Sequence, residues 1–487
     1  MDYSRICKPL FRTVSLFALL SMAACSVNPM TGKQEFTGLM SPQQEQSIGA
    51  EQHTEIIKQF GGEYKNQAIQ SYVNEIGQRL AAQSDRTDLQ YHFTVLDSPV
   101  VNAFALPGGY VYVTRGTLAV ANTEAELAAV LGHEIGHVAA RHQASRYSQG
   151  VLTSLGATVL SAAIGVPAAS QAIGVGTNLY MSSYSRDQET QSDQLGVRYL
   201  SRTGYDTMAM SYFLKDMEQF LGTEARVEGK QKQSAGYFSS HPDTGGRVVA
   251  ARAEAQKYPP EKSIENRNQY LSMMRGLMFG ENPAQGFVKG GTFYHPDIGF
   301  AFSVPDGFKL DNKPERIAIE GREGTILVLD MKEGKGITNA DEYVSQAWLK
   351  GRPADPIETI DVNGMRAATT SVPVAINNQP ANVRLLAIEW GKSDFVRMQM
   401  VLPAGVSRAA VDDLKRITYS FHQMTGKEKQ LAKPYQIDLV KARAGDSIQS
   451  LASQMSVDKL PVEQFAALNG MTPAEPIVAG RMYKVIR

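Results

Sequence analysis

The chain has 487 residues, with 49 Lys and Arg, 49 Asp and Glu, and a formal net charge of zero. This length exceeds one typical hydrophobic core and predicts about three folded units. The balanced charge favours no polyanion, so we expect no nucleic-acid partner, and the globular composition without low-complexity tracts indicates little disorder.

The N-terminus has the pattern of a targeting segment. Arg5, Lys8 and Arg12 give a basic start, residues 14–20 are apolar, and small residues precede Cys25. This pattern resembles a bacterial lipoprotein signal, which implies cleavage before Cys25 and a lipid on its thiol. The serine after Cys25 resembles the sorting signal for an outer-membrane lipoprotein facing the periplasm of a Gram-negative bacterium. A plain secretory signal or an N-terminal membrane anchor is the alternative.

The next hundred or so residues combine helical and strand patterns. Residues 41–59 and 66–82 have the spacing of amphipathic helices. Residues 91–96 and 109–114 are strand-like and predict a small sheet.

An apolar helix then carries the motif HExxH, at His133, Glu134 and His137. A capping box at Thr123 and Glu126 starts the helix. Histidines four residues apart lie one turn above each other, so both imidazoles reach one metal ion. Neutral imidazoles bind zinc, and a carboxylate beside them acts as a general base, which predicts one zinc ion per chain. The alternative is a helix with two ordinary histidines.

A catalytic zinc keeps three protein ligands and one open position, so a third ligand must come from another segment. Glu189 is the best candidate, on the polar face of a helix that follows an apolar stretch. His142 is the alternative, although five residues after His137 it points away from that helix face. Asp193, one turn beyond Glu189, suits a partner that accepts the ring N–H of a liganding histidine. Both acids could instead be solvated surface charges.

Residues 147–185 contain no charged side chain and are rich in small residues. Pro167, repeated glycines and polar residues interrupt the apolar pattern, so we expect a pair of small-residue helices near the metal cleft and no membrane span.

The C-terminal half has a different residue pattern, with more strand-like segments. Strand-like segments between residues 299 and 402 and one helix at 407–421 predict an α+β domain with an antiparallel sheet, faintly similar to PsbP. Residues 436–487 resemble a LysM module, a β-α-α-β fold that binds N-acetylglucosamine-containing glycans such as peptidoglycan. The alternative is a domain that only packs on its neighbours. The predicted domains are a signal peptide (1–24), a mainly helical zincin-type metallopeptidase domain (25–260), a helical connector (261–287), the α+β domain (288–425), a linker (426–435) and the LysM-like module (436–487).

Four blocks of the first half together resemble the gluzincin metallopeptidases, the family that includes HtpX, the CAAX prenyl proteases and the periplasmic BepA-like peptidases. The blocks are Asn102-Ala103-Phe104-Ala105 with Pro107-Gly108-Gly109, His133-Glu134-Ile135-Gly136-His137, Glu189 with Asp193, and His241-Pro242 with Arg247. Ser192 stands where the family usually has Ala, a small departure.

The resemblance implies a zinc endopeptidase with Glu189 as its third ligand. It also implies that Asn102, Ala103, Phe104 and Ala105 lie on an edge strand that binds an extended substrate through its backbone. His241 would either stabilise the oxyanion or fill the open zinc position in the resting state. Arg247 would brace the loop that carries His241.

The predicted function is therefore a lipid-anchored zinc metalloendopeptidase that cleaves unfolded or misassembled envelope proteins. Two alternatives remain at this stage. One is a peptidase of peptidoglycan stems, suggested by the LysM-like tail, and the other is a latent, chaperone-like lipoprotein that binds the cell wall.

Overall fold

The computed structural model describes residues 25–148, 183–227, 229 and 237–487, apart from positions 29–31, 33, 38, 243, 306, 314 and 377–378. The predicted signal peptide and most of the charge-free stretch at 147–185 lie outside these residues. The chain divides into two compact units. The first comprises the residues up to Gly280 together with Tyr435–Arg487, and the second is Glu281–Pro434.

The first unit begins with a short hairpin and two helices. Strands β1 (Cys25–Val27) and β2 (Gln34–Phe36) pair antiparallel. Helices α1 (Pro42–Gln59) and α2 (Gln67–Ala81) follow, each capped by the side chain of the preceding Ser or Asn. The two predicted amphipathic helices are thereby confirmed.

A three-stranded sheet follows, made of β3 (His92–Leu96), β4 (Ala103–Leu106) and β5 (Tyr110–Thr114). The central strand β5 pairs parallel with β3 and antiparallel with β4. Strand β4 is therefore an edge of this sheet.

Helices build the rest of the first unit's N-terminal part. They are α3 (Arg115–Val120), α4 (Glu124–Ala139), α5 (Arg186–Thr203), α6 (Ala209–Val227), α7 (Tyr237–Ser240), α8 (Thr244–Lys257) and α9 (Arg267–Met274), and strand β6 (Met278–Phe279) follows them. All sixteen residues of α4 are buried. Helices α4 and α5 cross at glycines, because a Cβ on Gly132 would lie 3.3 Å from Cα of Gly196. This close approach brings the acids of α5 to the histidines of α4.

The predicted capping box of α4 is only half correct. The Thr123 side chain accepts a hydrogen bond from the Glu126 N–H, as expected of an N-cap. The Glu126 carboxylate, however, accepts from the N–H of Asn122 at 2.7 Å and not from that of Thr123. The sequence pattern does not show the turn before Thr123, which presents the earlier N–H to this carboxylate.

The second unit consists of two antiparallel sheets and short helices. One sheet has the order β17-β9-β8-β7 and the other β10-β11-β12-β16-β15-β14-β13. The strands are β7 (Phe287–Lys289), β8 (Thr292–His295), β9 (Phe300–Ser303), β10 (Lys309–Lys313), β11 (Arg316–Glu320), β12 (Ile326–Glu333), β13 (Glu358–Val362), β14 (Met365–Ile376), β15 (Gln379–Trp390), β16 (Asp394–Pro403) and β17 (His422–Gln423). The helices are α10 (Ala340–Glu342), which continues as a π-helix (Tyr343–Leu349), α11 (Arg408–Ser420) and α12 (Gly426–Leu431). The predicted antiparallel α+β character is confirmed.

The C-terminal segment returns to the first unit. It runs β18 (Tyr435–Lys441), α13 (Ile448–Ala452), α14 (Pro461–Leu468) and β19 (Met482–Ile486), which is a β-α-α-β order. Its apolar side chains belong to the same core cluster as those of α4. Strand β18 also pairs with β6, with Tyr435 opposite Phe279.

A buried lysine fixes this segment to the end of α3. Nζ of Lys484 donates to the carbonyl oxygens of Ala119, Val120 and Ala121 at 2.6, 3.2 and 2.9 Å. Burial lowers the pKa of Lys484 to about 7. The C-terminal segment thus supplies a hydrogen-bond donor to the turn immediately before the metal-motif helix.

Among the described residues, no helix is both long and apolar enough to cross a membrane.

Candidate metal centre

Helix α4 presents the HExxH residues toward α5 and α7. The Nε2 atoms of His133 and His137 lie 3.0 Å apart. Both side chains are at most 1% exposed, and burial holds the pKa of His137 well below its usual range. The two imidazole lone pairs therefore face one point inside the protein.

Glu189, in the first turn of α5, reaches the same point. Its Oε2 lies 3.6 Å from Nε2 of His133, and its Oε1 lies 3.4 Å from Nε2 of His137. Zinc bonded tetrahedrally at about 2.0–2.1 Å separates its ligand atoms by about 3.3 Å. The three side chains fit a zinc ion in both donor chemistry and spacing.

His241 follows α7 and adds a fourth donor. Its Nδ1 lies 2.9 Å from Oε1 of Glu189 and 3.2 Å from Nε2 of His133. One ligand atom each from His133, His137, Glu189 and His241 lies within 4.8 Å of the others. The ring of Tyr237 stacks on His241 with 4.3 Å between centroids. His241 therefore lies where the open position of a three-ligand zinc would be.

Glu134 is buried beside these donors. Neither of its carboxylate oxygens has a hydrogen-bond partner among the described residues, although Oε1 lies 3.7 Å from Nε2 of His241. Burial raises the pKa of Glu134. A buried carboxylate with raised proton affinity and free lone pairs has the properties of a general base.

Asp193 and Arg247 support the donors from behind. Oδ1 of Asp193 lies 2.8 Å from Nδ1 of His133, and Arg247 donates to both Asp193 oxygens at 2.8 Å. Nη1 of Arg247 also lies 2.6 Å from Oε2 of Glu189, as an ion pair. Burial alone would raise the pKa of Glu189, but His241 and Arg247 outweigh it and hold that pKa well below its usual range.

Two aromatic residues contact His137 in ways that the sequence analysis did not predict. His142, considered only as a ligand, places its Nδ1 2.9 Å from Nδ1 of His137. Tyr184 stacks on His137 with 3.7 Å between centroids. Both are buried. Helical spacing alone could not place them, because His142 follows the turn at Arg141 and Tyr184 precedes the start of α5.

The residues predicted to bind substrate lie at the edge strand. Asn102 immediately precedes β4, and Ala103, Phe104 and Ala105 lie in it, all at most 5% exposed. The carbonyl of Asn102 accepts from the Thr114 N–H of β5, whereas the carbonyl of Ala105 accepts from the Gln143 side chain at 3.3 Å. The outward-facing carbonyl of Ala105 therefore has a side-chain partner in place of a neighbouring strand.

Residues 67–255 match the profile of Peptidase family M48. This part of the chain is similar to the M48 peptidases. The match confirms the metallopeptidase resemblance that the four sequence blocks predicted.

Relatives of known name match over somewhat less than half of the chain. The Beta-barrel assembly-enhancing protease of Yersinia pestis is 30% identical over 223 residues, which are 44% of this chain and 44% of that protein. That of Escherichia coli K12 is 28% identical over 219 residues, or 43% of each chain. The Mitochondrial metalloendopeptidase OMA1 of Schizosaccharomyces pombe is 26% identical over 240 residues, which are 49% of this chain and 67% of that protein. The match thus spans less than half the length of the first two relatives.

Part of the chain is distantly similar to a solved structure. The solution structure of cyanobacterial PsbP from Synechocystis sp. PCC 6803 covers 28% of this chain and 91% of that chain, with 12% identity and a TM-score of 0.21. That score supports no fold assignment, so the PsbP-like fold stays a prediction, as does the LysM-like one. Cys25 is the first residue of β1, and its acylation likewise stays a prediction.

Proposed function

We propose that the chain is a zinc-dependent metalloendopeptidase acting on unfolded or misassembled envelope proteins. The observation that carries the proposal is the convergence of His133, His137 and Glu189 beside the unbonded carboxylate of Glu134. A structural zinc site requires no such base, which argues against a latent, chaperone-like protein.

The reaction assigns one role to each group. His133, His137 and Glu189 would hold zinc, which supplies Lewis acidity toward a water molecule and the scissile carbonyl. Glu134 takes the proton from the attacking water and passes it to the leaving amine. Asp193 keeps Nδ1 of His133 protonated, so that its Nε2 lone pair faces the metal.

The substrate would bind as an added strand. The backbone of Ala103 and Ala105 faces the open edge of β4, so an extended segment can pair there after Gln143 releases the Ala105 carbonyl. Such pairing uses backbone groups and tolerates many sequences, but it requires an unfolded segment. The names of the bacterial relatives, proteases that enhance β-barrel assembly, support envelope proteins as the substrate class.

His241 would act as a resting-state plug. Its Nδ1 contacts Glu189, and its ring fills the space that water and the scissile carbonyl require. This placement favours a plug over oxyanion stabilisation, because an oxyanion donor must lie beside the open position and not in it.

The cellular part of the proposal follows the sequence. Cys25 would carry the lipid of an outer-membrane lipoprotein facing the periplasm. The β-α-α-β segment would bind peptidoglycan, for which a surface cleft of about 710 Å³ lined by Arg443, Asp446 and Gln454 offers polar groups. Co-sedimentation of Arg443→Ala with purified sacculi, equal to that of the unaltered protein, would argue against this cleft.

The test is hydrolysis of unfolded casein by the mature protein without its lipid. Glu134→Gln should reduce the rate by at least about 100-fold, since general bases contribute factors of about 10²–10⁴, and it should retain stoichiometric zinc. Glu75→Gln, an exposed acid on α2, is the matched control and should behave as wild type. Release of muropeptides from sacculi with casein untouched would favour the peptidoglycan alternative, and absence of zinc from the unaltered protein would overturn the proposal.

A further inference from the structure

A chain of hydrogen bonds links the segment after Cys25 to the metal centre. The Asn28 amide donates to Oε1 of Gln191 at 2.7 Å, and the same oxygen lies 3.2 Å from Nε2 of His142. Nδ1 of His142 lies 2.9 Å from Nδ1 of His137. Two side chains, those of Gln191 and His142, thus connect Asn28 with the predicted metal ligand His137.

Metal binding at Nε2 of His137 fixes the direction of every bond in this chain. With Nε2 facing the metal, Nδ1 of His137 carries the proton and donates to Nδ1 of His142. His142 must then carry its own proton on Nε2, and that N–H donates to Oε1 of Gln191. The oxygen of Gln191 accepts from both His142 and Asn28, so each donor meets an acceptor.

These hydrogen bonds are buried, so the direction of donor and acceptor in each of them matters. Asn28 is 1% exposed and His142 is fully buried. Asn28 also holds the Gln191 amide in one orientation, because the reversed amide would bring two donors together. With the amide reversed, an N–H would face Nε2–H of His142 and disfavour the tautomer that accepts from His137.

The same N-terminal segment is fixed at a second place. Arg141, just after α4 and with φ of +54°, donates to Glu45 at 2.9 Å, Thr37 at 3.1 Å and the Met40 carbonyl at 2.6 Å. These contacts hold residues 37–45 against the C-terminal end of the metal-motif helix. They do not pass through His142, so they offer an independent control.

We propose that Asn28 is a positioning residue of the metal centre, acting through Gln191 and His142 to fix the tautomer and ring orientation of His137. The segment that follows the predicted lipid anchor is then part of the zinc site and more than a tether. This inference rests on the proposed zinc site.

The experiment compares four variants of the mature protein without its lipid. Asn28→Ala removes the donor, and Gln191→Met removes the shared acceptor. Gln191→Glu keeps an oxygen that can accept from both Asn28 and His142. Thr37→Ala removes a contact of Arg141 that does not belong to this series of hydrogen bonds. Zinc affinity is measured by competition with a chromophoric chelator, and the histidine tautomers of the zinc-free protein by ¹⁵N NMR.

We expect zinc to dissociate about tenfold more readily from Asn28→Ala and Gln191→Met, in the range found for outer partners of metal ligands. Gln191→Glu and Thr37→Ala should remain near wild type. The His142 Nε2–H tautomer should dominate in wild type and Gln191→Glu and become mixed in Gln191→Met. If Asn28→Ala does not fold, the Gln191 pair still decides the question.

Three results would overturn the proposal. Unchanged zinc affinity in Gln191→Met would show that the hydrogen bonds from Asn28 through Gln191 and His142 do not position His137. Equal loss in Gln191→Glu and Gln191→Met would show that hydrogen-bond polarity is irrelevant, and equal loss in Thr37→Ala and Asn28→Ala would show a general docking effect. Failure of the unaltered protein to bind zinc would instead overturn the proposed function.

Discussion

Oδ1 of Asp193 lies 2.8 Å from Nδ1 of His133, and this contact joins the second turn of α5 to the metal motif of α4. The carboxylate fixes the histidine with its Nε2 lone pair toward the other donors. Arg247 binds both oxygens of the same carboxylate. The orientation of His133 therefore depends on a charge that Arg247 keeps in place.

We predict that Asp193→Asn weakens zinc binding by about 10- to 100-fold, because the ligand loses a charged partner that orients it. Zinc competition with a chelator measures the effect. Asp187→Asn, an exposed acid in the first turn of the same helix, should leave the affinity unchanged. An unaffected Asp193→Asn would mean that packing alone orients His133.

We predict that His241→Ala increases casein hydrolysis several-fold at unchanged zinc content, because it vacates the space beside Glu189 and Glu134. Initial rates at saturating casein measure this. His422→Ala in the second unit is the control and should not change the rate. A rate that falls by about 100-fold or more would instead assign His241 to the oxyanion.

Lys484→Met should destabilise the first unit by about 3 kcal/mol at pH 6, since three buried carbonyl groups lose their hydrogen-bond donor. Urea unfolding of the full chain measures this, with tryptic cleavage within residues 186–257 as the readout of unfolding. Lys441→Met on β18, which is exposed, should cost little. An equal effect of both substitutions would contradict the role of the buried bonds.

The pH dependence of stability should include Glu126. Burial raises the pKa of Glu126 to about 8, above the 4.5 of an exposed glutamate. The folded state then binds the proton more tightly than the unfolded state, so the contribution of Glu126 is fully present below pH 4.5 and is lost as the pH rises through about 8. Glu126→Gln should remove this loss. Thermal unfolding at pH 5 and pH 8 tests it, and an identical pH dependence of the two proteins would contradict it.

The second unit should be removable. The strands that flank it in sequence, β6 and β18, pair with each other, and Phe279 lies opposite Tyr435. The two chain ends that its removal would leave therefore lie side by side in the first unit. A chain with residues 281–434 replaced by a short Gly-Ser turn should fold and bind one zinc ion. Loss of zinc or aggregation of this deletion variant would show that the first unit needs the insert.

Much of the metal centre could be predicted from the sequence because its signals are local. HExxH and the acids at Glu189 and Asp193 each follow the spacing of one helix turn, and the helices themselves have clear caps and apolar faces. Only the crossing of α4 and α5 at Gly132 and Gly196 brings the two signals together, and that requires the fold.

The remaining features depend on contacts distant in sequence. No periodicity in the sequence indicates that Lys484 donates to the carbonyl groups of residues 119–121, or that Asn28 donates to Gln191. The LysM-like pattern predicts the order of strands and helices in the tail but not that its apolar residues share a core with the metal motif. Local propensity contains no information about which surface a small β-α-α-β segment covers.

The long sequence separation between Lys484 and the turn that it binds also sets an order in time. A ribosome makes the metal-motif helix hundreds of residues before the lysine that binds the turn preceding it. During synthesis the peptidase half is incomplete, and a chain that stops short of Lys484 leaves the carbonyl groups of that turn without their donor. We therefore expect truncated products to unfold more readily than the full chain and to be degraded.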